Sequence, residues 1–426
     1  MDYELIKTRA GIVEALKYLE NSTATGLDIE TTALHPRHGE ISLIQLSDRE
    51  KVYIIDCIEL DGRYLRSVIS SLGVEDAEKF WRSYKQSESL KLLIPFLEGE
   101  KPRKVIQNLK FEATWFQEKL GCEINGAFDT YLAGKLLDMP SDCKLDTLLH
   151  KYLSVAVSKE EQKSNWSGKL TKEQMEYAAR DAFYLPALRE KLVYFLKQAG
   201  MIEVAAIEFN AVRTVAKMET VGFPIDKEMY SELVEELIIR RDVRAKELEE
   251  VLNDAMGYVV TTQVQGGLFG EDSVITVGGV NLNSPAQVKV AFEKLGVPLE
   301  KTNKQMVNSM VTKYPQLKYL TDYRAEQILV TAFGEKIIAL IDKQTGRIHA
   351  SFWQLKPATG RFAASNPNLQ QMPHTKEFRQ CFRPTDPNRC FVIADYSGIE
   401  LRILAQISQD PVMIDAFNNN RDLHIS

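Results

Sequence analysis

Short apolar runs alternate with helical patterns along the first 200 residues, and this alternation limits the possible folds more than any other feature. Four runs are predicted to be strands: ATGLDIE (24–30), ISLIQLS (41–47), KVYIID (51–56) and KVIQN (104–108). Strands separated by helices are typical of an α/β domain. A long helix is predicted to close this first block, with a capping box formed by Thr171 and Gln174 and a stop at Gly200.

The second block, beyond residue 200, has a mostly helical pattern. A helix is predicted over about 202–221, and a second one runs from Lys227 to about Met256. The second helix carries leucines at helical spacing, which are Leu233, Leu237, Leu248 and Leu252. This spacing favours a long antiparallel helical arm over a free coiled coil. Glycine-rich residues 264–280 predict a loop or a hairpin insertion, and from about residue 343 the pattern becomes strand-like.

Composition excludes several classes of protein. With 44% hydrophobic and 26% charged residues, the chain is neither disordered nor a small disulfide-stapled scaffold. Its five cysteines are far apart and form no C-x-x-C pair, so we expect reduced thiols rather than a zinc site. The N-terminus has no apolar signal core, and no apolar run approaches the roughly 20 residues that span a bilayer. We therefore expect a soluble, cytoplasmic protein without membrane contact.

A basic stretch stands out against the formal net charge of −6. Between residues 343 and 383 the only acidic residue is Glu377, whereas the basic residues are Lys343, Arg347, Lys356, Arg361, Lys376, Arg379 and Arg383. A positive and turn-rich segment suits contact with a nucleic-acid backbone. Charge alone leaves a plain solvated basic face equally open.

Acidic residues recur at positions where side chains would share a face. Asp28 and Glu30 alternate on a predicted strand and would project together, as a divalent-metal site or as an acidic strand end. Tyr177 and Asp181 are one helical turn apart, which fits a joint role or an amphipathic helix with the tyrosine packed. Glu112 follows the run KVIQN and is a further acidic candidate.

These residues together resemble the three exonuclease motifs of the proofreading domain of DNA polymerase I and its relatives, which has a ribonuclease H-like fold. The matching segments are LDIETT (27–32), QNLKFE (107–112) and YAARD (177–181). The run SNWSGKLTKEQ (164–174) before the third motif is also similar to the ribonuclease D branch.

The resemblance implies a 3′→5′ exonuclease that uses two ions of Mg²⁺ or Mn²⁺. Asp28, Glu30 and Asp181 would hold the ions, and Tyr177 would orient the attacking water. Phe111 and Asn108 would contact the frayed, single-stranded 3′ end of DNA. Two positions depart from the family pattern, because Glu112 replaces the usual Asp and Gln107 the usual His. The longer reach of Glu112 puts the geometry of the catalytic carboxylates in question.

Residues 390–409, CFVIADYSGIELRILAQISQ, predict an apolar strand that runs into Asp395, then a turn at Ser397-Gly398 and an amphipathic helix. Alone, Asp395 would fit a helix cap as well as a metal ligand.

The segment resembles the first palm motif of family A DNA polymerases. Upstream segments match the same family in order: LNSPAQV (282–288), TGRIHASF (345–352), ATGRFAASNPNLQQMP (358–373) and FRQCF (378–382). RDLHIS (421–426) also matches.

The second resemblance implies that Asp395 binds catalytic metals together with the carbonyl of Tyr396, and that Glu400 is a gate against the ribose 2′-OH. The side chains that would contact primer–template or nucleotide phosphates are Arg361, Gln370, Arg379 and His424. Gln371 and Gly398 stand where the family usually has Asn and Gln, which puts primer contacts in question.

The expected architecture is an α/β ribonuclease H-like exonuclease domain (1–198), a mostly helical thumb (199–345) and an incomplete α+β palm (346–426). The sequence ends before the fingers and the second palm carboxylate, so we expect no polymerisation by this chain alone. It would be a gene fragment or one half of a split polymerase completed by a second polypeptide. Its place would be the nucleoid, or the host cytoplasm if phage-encoded. The alternatives are a stand-alone RNA exonuclease like ribonuclease D and a non-catalytic DNA-binding subunit.

Overall fold

The computed structural model describes residues 2–63, 65–73, 76, 80, 84–138, 141–157, 164–258, 261–266, 272–277 and 279–421. The strands of the first block are β1 (Glu4–Ile6), β2 (Ala24–Thr31), β3 (Ile41–Ser47), β4 (Val52–Asp56), β5 (Arg103–Ile106) and β6 (Ala127–Asp129). They form one sheet in the order β1-β4-β3-β2-β5-β6. β3 is antiparallel to both β2 and β4, while β1 is parallel to β4, and β5 is parallel to β2 and β6. The four predicted strands are thus confirmed.

Helices cover both faces of this sheet. They are α1 (Arg9–Leu19), α2 (Leu65–Ser70), α3 (Ile94–Glu98), α4 (Lys110–Leu120), α5 (Thr130–Leu137), α6 (Leu145–Leu153), α7 (Lys172–Phe183) and α8 (Leu185–Gln198). Alternation along each strand separates two cores. Leu27 and Ile29 of β2 pack in a cluster with α1 and α4, whereas Leu43 of β3 packs with α7. Asp28 and Glu30 alternate with Leu27 and Ile29, so they point to the α7 side of the sheet.

The second block contains six short strands and nine helices in its described part. The strands are β7 (Phe223–Pro224), β8 (Thr261–Gly266), β9 (Asp272–Val277), β10 (Arg347–Ile348), β11 (Ser351–Trp353) and β12 (Ala363–Ser365). The helices are α9 (Ile202–Val221), α10 (Lys227–Met256), α11 (Pro285–Lys294), α12 (Lys304–Met310), α13 (Leu317–Phe333), α14 (Glu335–Ala339), α15 (Lys376–Cys381), α16 (Ile399–Ser408) and α17 (Pro411–Asn418).

The predicted helical arm is confirmed as an antiparallel pair of α10 and α13. Tyr230 at the start of α10 donates from its hydroxyl to the backbone oxygen of Phe333 at the end of α13. Further along, the guanidinium of Arg240 pairs with Glu326 at 3.3 Å. The four leucines of α10 noted above are all buried. The Gly-rich insertion forms an antiparallel hairpin of β8 and β9, with residues 267–271 outside the described part.

Two predictions from the sequence are wrong. The single helix predicted over 171–200 is two helices, α7 and α8. The break is at Tyr184, because Pro186 in the first turn of α8 has no backbone N–H to continue the hydrogen bonds of α7. The strand predicted to lead into Asp395 does not form, and its side chains Val392 and Ile393 are 90% and 88% exposed. A strand needs a hydrogen-bonding neighbour, and none of the described strands pairs with residues 390–395.

No helix in the described part of the chain is both long enough and apolar enough to cross a membrane.

Candidate functional site

A close approach between β2 and the α7–α8 junction creates the site. A Cβ atom at Gly26 would lie 2.1 Å from the backbone oxygen of Ala182, so only glycine fits there. Asp28 and Glu30 follow on the same face of β2, and Asp181 precedes Ala182 on α7. The glycine therefore allows the helix carboxylate to approach the two strand carboxylates.

The start of α7 is fixed by the predicted capping box. The Thr171 hydroxyl accepts the Gln174 N–H, and the Gln174 side chain accepts the Thr171 N–H at 2.9 Å. One and a half turns later, the Tyr177 ring lies 6.3 Å from the Trp166 ring. The segment that carries Trp166 is held by Arg66, which donates to the Trp166 backbone oxygen at 3.1 Å and pairs with buried Asp56 at 2.8 Å.

Helix α4 supplies the fourth carboxylate, and its start is held by Asp129. The Asp129 carboxylate accepts the N–H groups of Asn108 at 3.1 Å and Leu109 at 3.0 Å, next to a backbone turn where Asn108 has a φ of 61°. The Asp129 carboxylate thus stabilises the backbone at the start of α4. Glu112 lies in the first turn of α4 and is buried, and Phe111 packs near Trp115.

The carboxylates strongly affect one another. Burial raises the pKa of Asp28 well above its usual value, and the charge of Asp181 raises it further. Burial also raises the pKa values of Glu30 and Glu112, and in both cases the next largest cause is the charge of Asp28. Burial raises the pKa of Asp181 to about 6, and the hydroxyl of Tyr177 donates to it and limits the rise. Four acidic groups thus share one low-dielectric region.

Such a set of groups fits a divalent cation. Hard cations take oxygen ligands, and a cation between the carboxylates would offset the cost of burying their charges and the repulsion between them. Glu112 Oε2 is buried and has no hydrogen-bond partner among the described atoms, so it is free to accept one. In the described part of the chain, no group of three or more His, Cys, Asp or Glu side chains is arranged so that it could hold a metal ion. Ion binding would therefore require these side chains to turn toward one another.

Two residues near the site were missed by the sequence reasoning. Leu34 lies three residues after the end of β2, the strand that carries Asp28 and Glu30, and its side chain is 92% exposed. Gln45 lies opposite Asp28 on β3, and both its amide atoms are buried without a hydrogen-bond partner among the described residues. Residues opposite each other in an antiparallel pair point to the same face, so this amide lies on the Asp28 side. The sequence does contain a signal for Gln45, because a glutamine is unusual within the otherwise mostly apolar strand ISLIQLS.

The predicted residues of the second block lie in its exposed part. Arg361 and Glu400 form an ion pair between exposed side chains, a contact that the sequence did not predict. Asp395 is exposed in the irregular segment before α16. Arg379 lies on α15 and contacts His374, while the Gln370 side chain donates to the backbone oxygen of Phe362 at 3.3 Å. His424 lies outside the described residues.

Comparisons with known proteins match both blocks. Residues 3–197 match the family model described as 3′-5′ exonuclease, and residues 270–426 match the one described as DNA polymerase family A. The chain is 30% identical to DNA polymerase I of Borreliella burgdorferi over 440 residues, which cover 99% of this chain and 43% of that protein. It is 28% identical to DNA polymerase I of Aquifex aeolicus, covering 100% of this chain and 67% of that one. The chain therefore spans between two fifths and two thirds of these relatives.

The fold is also found in a solved structure. The POL domain of Pol1 from M. smegmatis, in complex with DNA primer-template and dNTP, has a TM-score of 0.72 and 21% identity. The match covers 99% of this chain and 66% of that one. The chain therefore carries a 3′-5′ exonuclease domain over residues 3–197 and a segment of DNA polymerase family A over residues 270–426.

Proposed function

We propose that the first block is a metal-dependent 3′→5′ exonuclease that removes nucleotides from single-stranded 3′ ends of DNA. The observation that carries this proposal is the shared environment of Asp28, Glu30, Glu112 and Asp181. Burial raises the pKa values of all four, and charges within the set raise those of Asp28, Glu30 and Glu112 further. A bound cation would favour the ionised form of each carboxylate.

Asp28, Glu30 and Asp181 would hold two divalent ions, Mg²⁺ or Mn²⁺. Bound there, such ions would supply positive charge to the attacking and leaving oxygens of an in-line phosphoryl displacement. Glu112 would complete the set, and its unpartnered Oε2 leaves it free to do so.

The remaining groups would orient the substrate. The Tyr177 hydroxyl, held by its hydrogen bond to Asp181, would align the attacking water. Phe111 and the exposed Leu34 would support the terminal bases by stacking and apolar contact. Asn108, in the turn before α4, would contact the strand beside them.

We further propose that residues 1–198, 199–345 and 346–426 act as exonuclease, thumb and palm segments of a DNA polymerase I-like enzyme of the cytoplasm, in replication or repair. Asp395 would serve nucleotidyl transfer, while Arg361, Gln370 and Arg379 would contact primer–template. The exposed side chains of Val392, Ile393 and Tyr396 support a second polypeptide surface packing there. Primer extension that appears only after addition of a polypeptide carrying the remaining polymerase segments would test this part.

The exonuclease proposal is tested with a 5′-labelled single-stranded DNA oligonucleotide and its RNA counterpart. We expect stepwise shortening of the DNA from its 3′ end with Mg²⁺, none with a chelator, and slower shortening of the RNA. The double variant Asp28→Ala and Asp181→Ala should be inactive. Asp142→Ala is the matched control, since Asp142 is an exposed carboxylate of the same block.

The proposal fails if the purified chain shortens neither strand, or if the double variant is as active as the unchanged protein. Faster shortening of RNA than of DNA would instead favour the ribonuclease D-like alternative.

A further inference from the structure

Lys110 joins helix α4 to the second block of the chain. Its Nζ donates to Glu219 Oε1 at 2.8 Å and to the backbone oxygen of Phe352 at 2.7 Å. The same ammonium lies 4.1 Å from the centre of the Trp353 ring, within the range of a cation–π interaction. All three partners lie outside the segment that matches the exonuclease family. We call these four residues the Lys110 junction.

The Lys110 junction is shielded from water and well connected. The side chains of Lys110 and Glu219 are each 14% exposed. The Glu219 carboxylate also accepts the N–H of Phe352, and its backbone oxygen accepts from His349 Nδ1 at 2.8 Å. Removing one partner of such a pair leaves the other charge poorly solvated, so the pair resists separation. The junction therefore fixes Lys110 relative to α9 and β11.

Lys110 is also two residues from Glu112 in the first turn of α4. From inside the first block, Asp129 holds this turn through the N–H groups of Asn108 and Leu109. From the second block, only the Lys110 junction provides an ion pair to this turn among the described residues. Glu112 Oε2 has no hydrogen bond of its own, so the position of this carboxylate follows the position of the turn.

We propose that Lys110 is a positioning residue, through which the chain beyond residue 198 sets the placement of Glu112 in the exonuclease site. This inference rests on the proposed exonuclease function of that site. If Lys110 has this role, the rate at which the first block shortens DNA depends on the contacts of Lys110 with Glu219 and β11.

The first test is the variant Lys110→Met, which keeps the apolar stem and removes the charge. We expect kcat for shortening of a single-stranded DNA to fall about tenfold, because small displacements of a reacting group are costly. KM should stay within about twofold, since the Lys110 ammonium is bound by Glu219 and the backbone oxygen of Phe352 and its side chain is 14% exposed. Lys110→Arg keeps the charge and should retain most of the activity.

A double-mutant cycle separates positioning from general damage. Glu219→Gln should lower kcat in a similar way, and adding it to Lys110→Met should cause little further loss, because both remove one interaction. Lys119→Met is the matched control: Lys119 lies on the same helix and forms a similarly buried pair with Glu40 at 2.8 Å. Its effect should be unchanged by Glu219→Gln.

Amide hydrogen exchange provides a readout that needs no activity. In Lys110→Met, but not in Lys119→Met, amides of residues 108–113 should exchange about tenfold faster. Unchanged kcat and exchange in Lys110→Met, or losses that simply add to those of Glu219→Gln, would overturn the inference. If the unchanged protein degrades no DNA, the proposed function fails, and the exchange result alone decides whether Lys110 fixes this turn.

Discussion

Replacing Asp181 with asparagine should make the metal-free protein more stable while abolishing its nuclease activity. Burial raises the pKa of Asp181 from its usual 3.8 to about 6. A raised carboxyl pKa means that the folded state holds the proton more tightly than the unfolded state. The cost of ionising Asp181 to stability is therefore absent below pH 3.8, grows between pH 3.8 and about 6, and has its full size above about pH 6.

The magnitude follows from the difference between the two pKa values. At 1.36 kcal/mol per pKa unit, the cost at pH 8 is about 3 kcal/mol, and at pH 4.5 it is about 1 kcal/mol. Because the side chain is partly exposed, solvent reduces the gain at pH 8 to about 1–2 kcal/mol. Asparagine carries no charge at either pH and can still accept the hydrogen bond of Tyr177.

The assay is urea unfolding in the presence of a chelator at pH 8 and pH 4.5, with Asp142→Asn as the control for an exposed carboxylate. The free energy of unfolding of Asp181→Asn should exceed that of the unchanged protein more at pH 8 than at pH 4.5. With added Mg²⁺ the advantage should shrink, because the ion stabilises the unchanged protein more than the variant. A variant that is less stable at pH 8, or a difference independent of pH, would refute the electrostatic reasoning.

Four further changes have distinct expected outcomes. Glu112→Asp should retain nuclease activity because it keeps the charge, whereas Glu112→Gln should lose at least about tenfold in kcat. Gln45→Leu should raise the free energy of unfolding by about 1–3 kcal/mol, measured in urea, since it removes a buried amide without partners. Leu34→Ala should weaken binding of single-stranded DNA, measured by fluorescence anisotropy, and change stability by less than about 0.5 kcal/mol. Arg66→Ala should lower the free energy of unfolding by about 3–5 kcal/mol, because it leaves Asp56 buried without its partner.

Local patterns in the sequence predicted the scaffold of the candidate site well. The period of two along β2 placed Asp28 and Glu30 on one face, and the capping box at Thr171 identified the start of the helix that carries Asp181. Both depend on neighbours within a few residues. The approach of Asp181 to Asp28 and Glu30 depends on Gly26, because the absence of a side chain there lets α7 come close to β2. Packing between such distant segments leaves no local pattern in the sequence.

Contacts between distant residues were not predictable for the same reason. Lys110 meets Glu219 across 109 positions, and Arg361 meets Glu400 across 39. In each case the sequence shows two ordinary charged residues, and only the folded chain brings them together. The same holds for Gln45. Its side-chain amide is buried without a hydrogen-bond partner among the described residues, and only the packed structure reveals this.

The failed strand before Asp395 shows how the two blocks differ physically. Residues 390–395 and the confirmed strand β3 have similarly apolar patterns, yet β3 is paired on both sides and fully buried. An apolar run becomes a strand when a partner satisfies its backbone groups and a second layer covers its side chains. For β3 the neighbouring strands β2 and β4 supply the first, and α1, α4 and α7 supply the second. Residues 390–395 have no strand partner among the described strands, and of their side chains Phe391 stacks on Phe223 while Val392 and Ile393 stay exposed. A partner surface that orders this segment should therefore protect its amides from hydrogen exchange while leaving those of β3 unchanged, and failure of any added polymerase segment to do so would contradict this account.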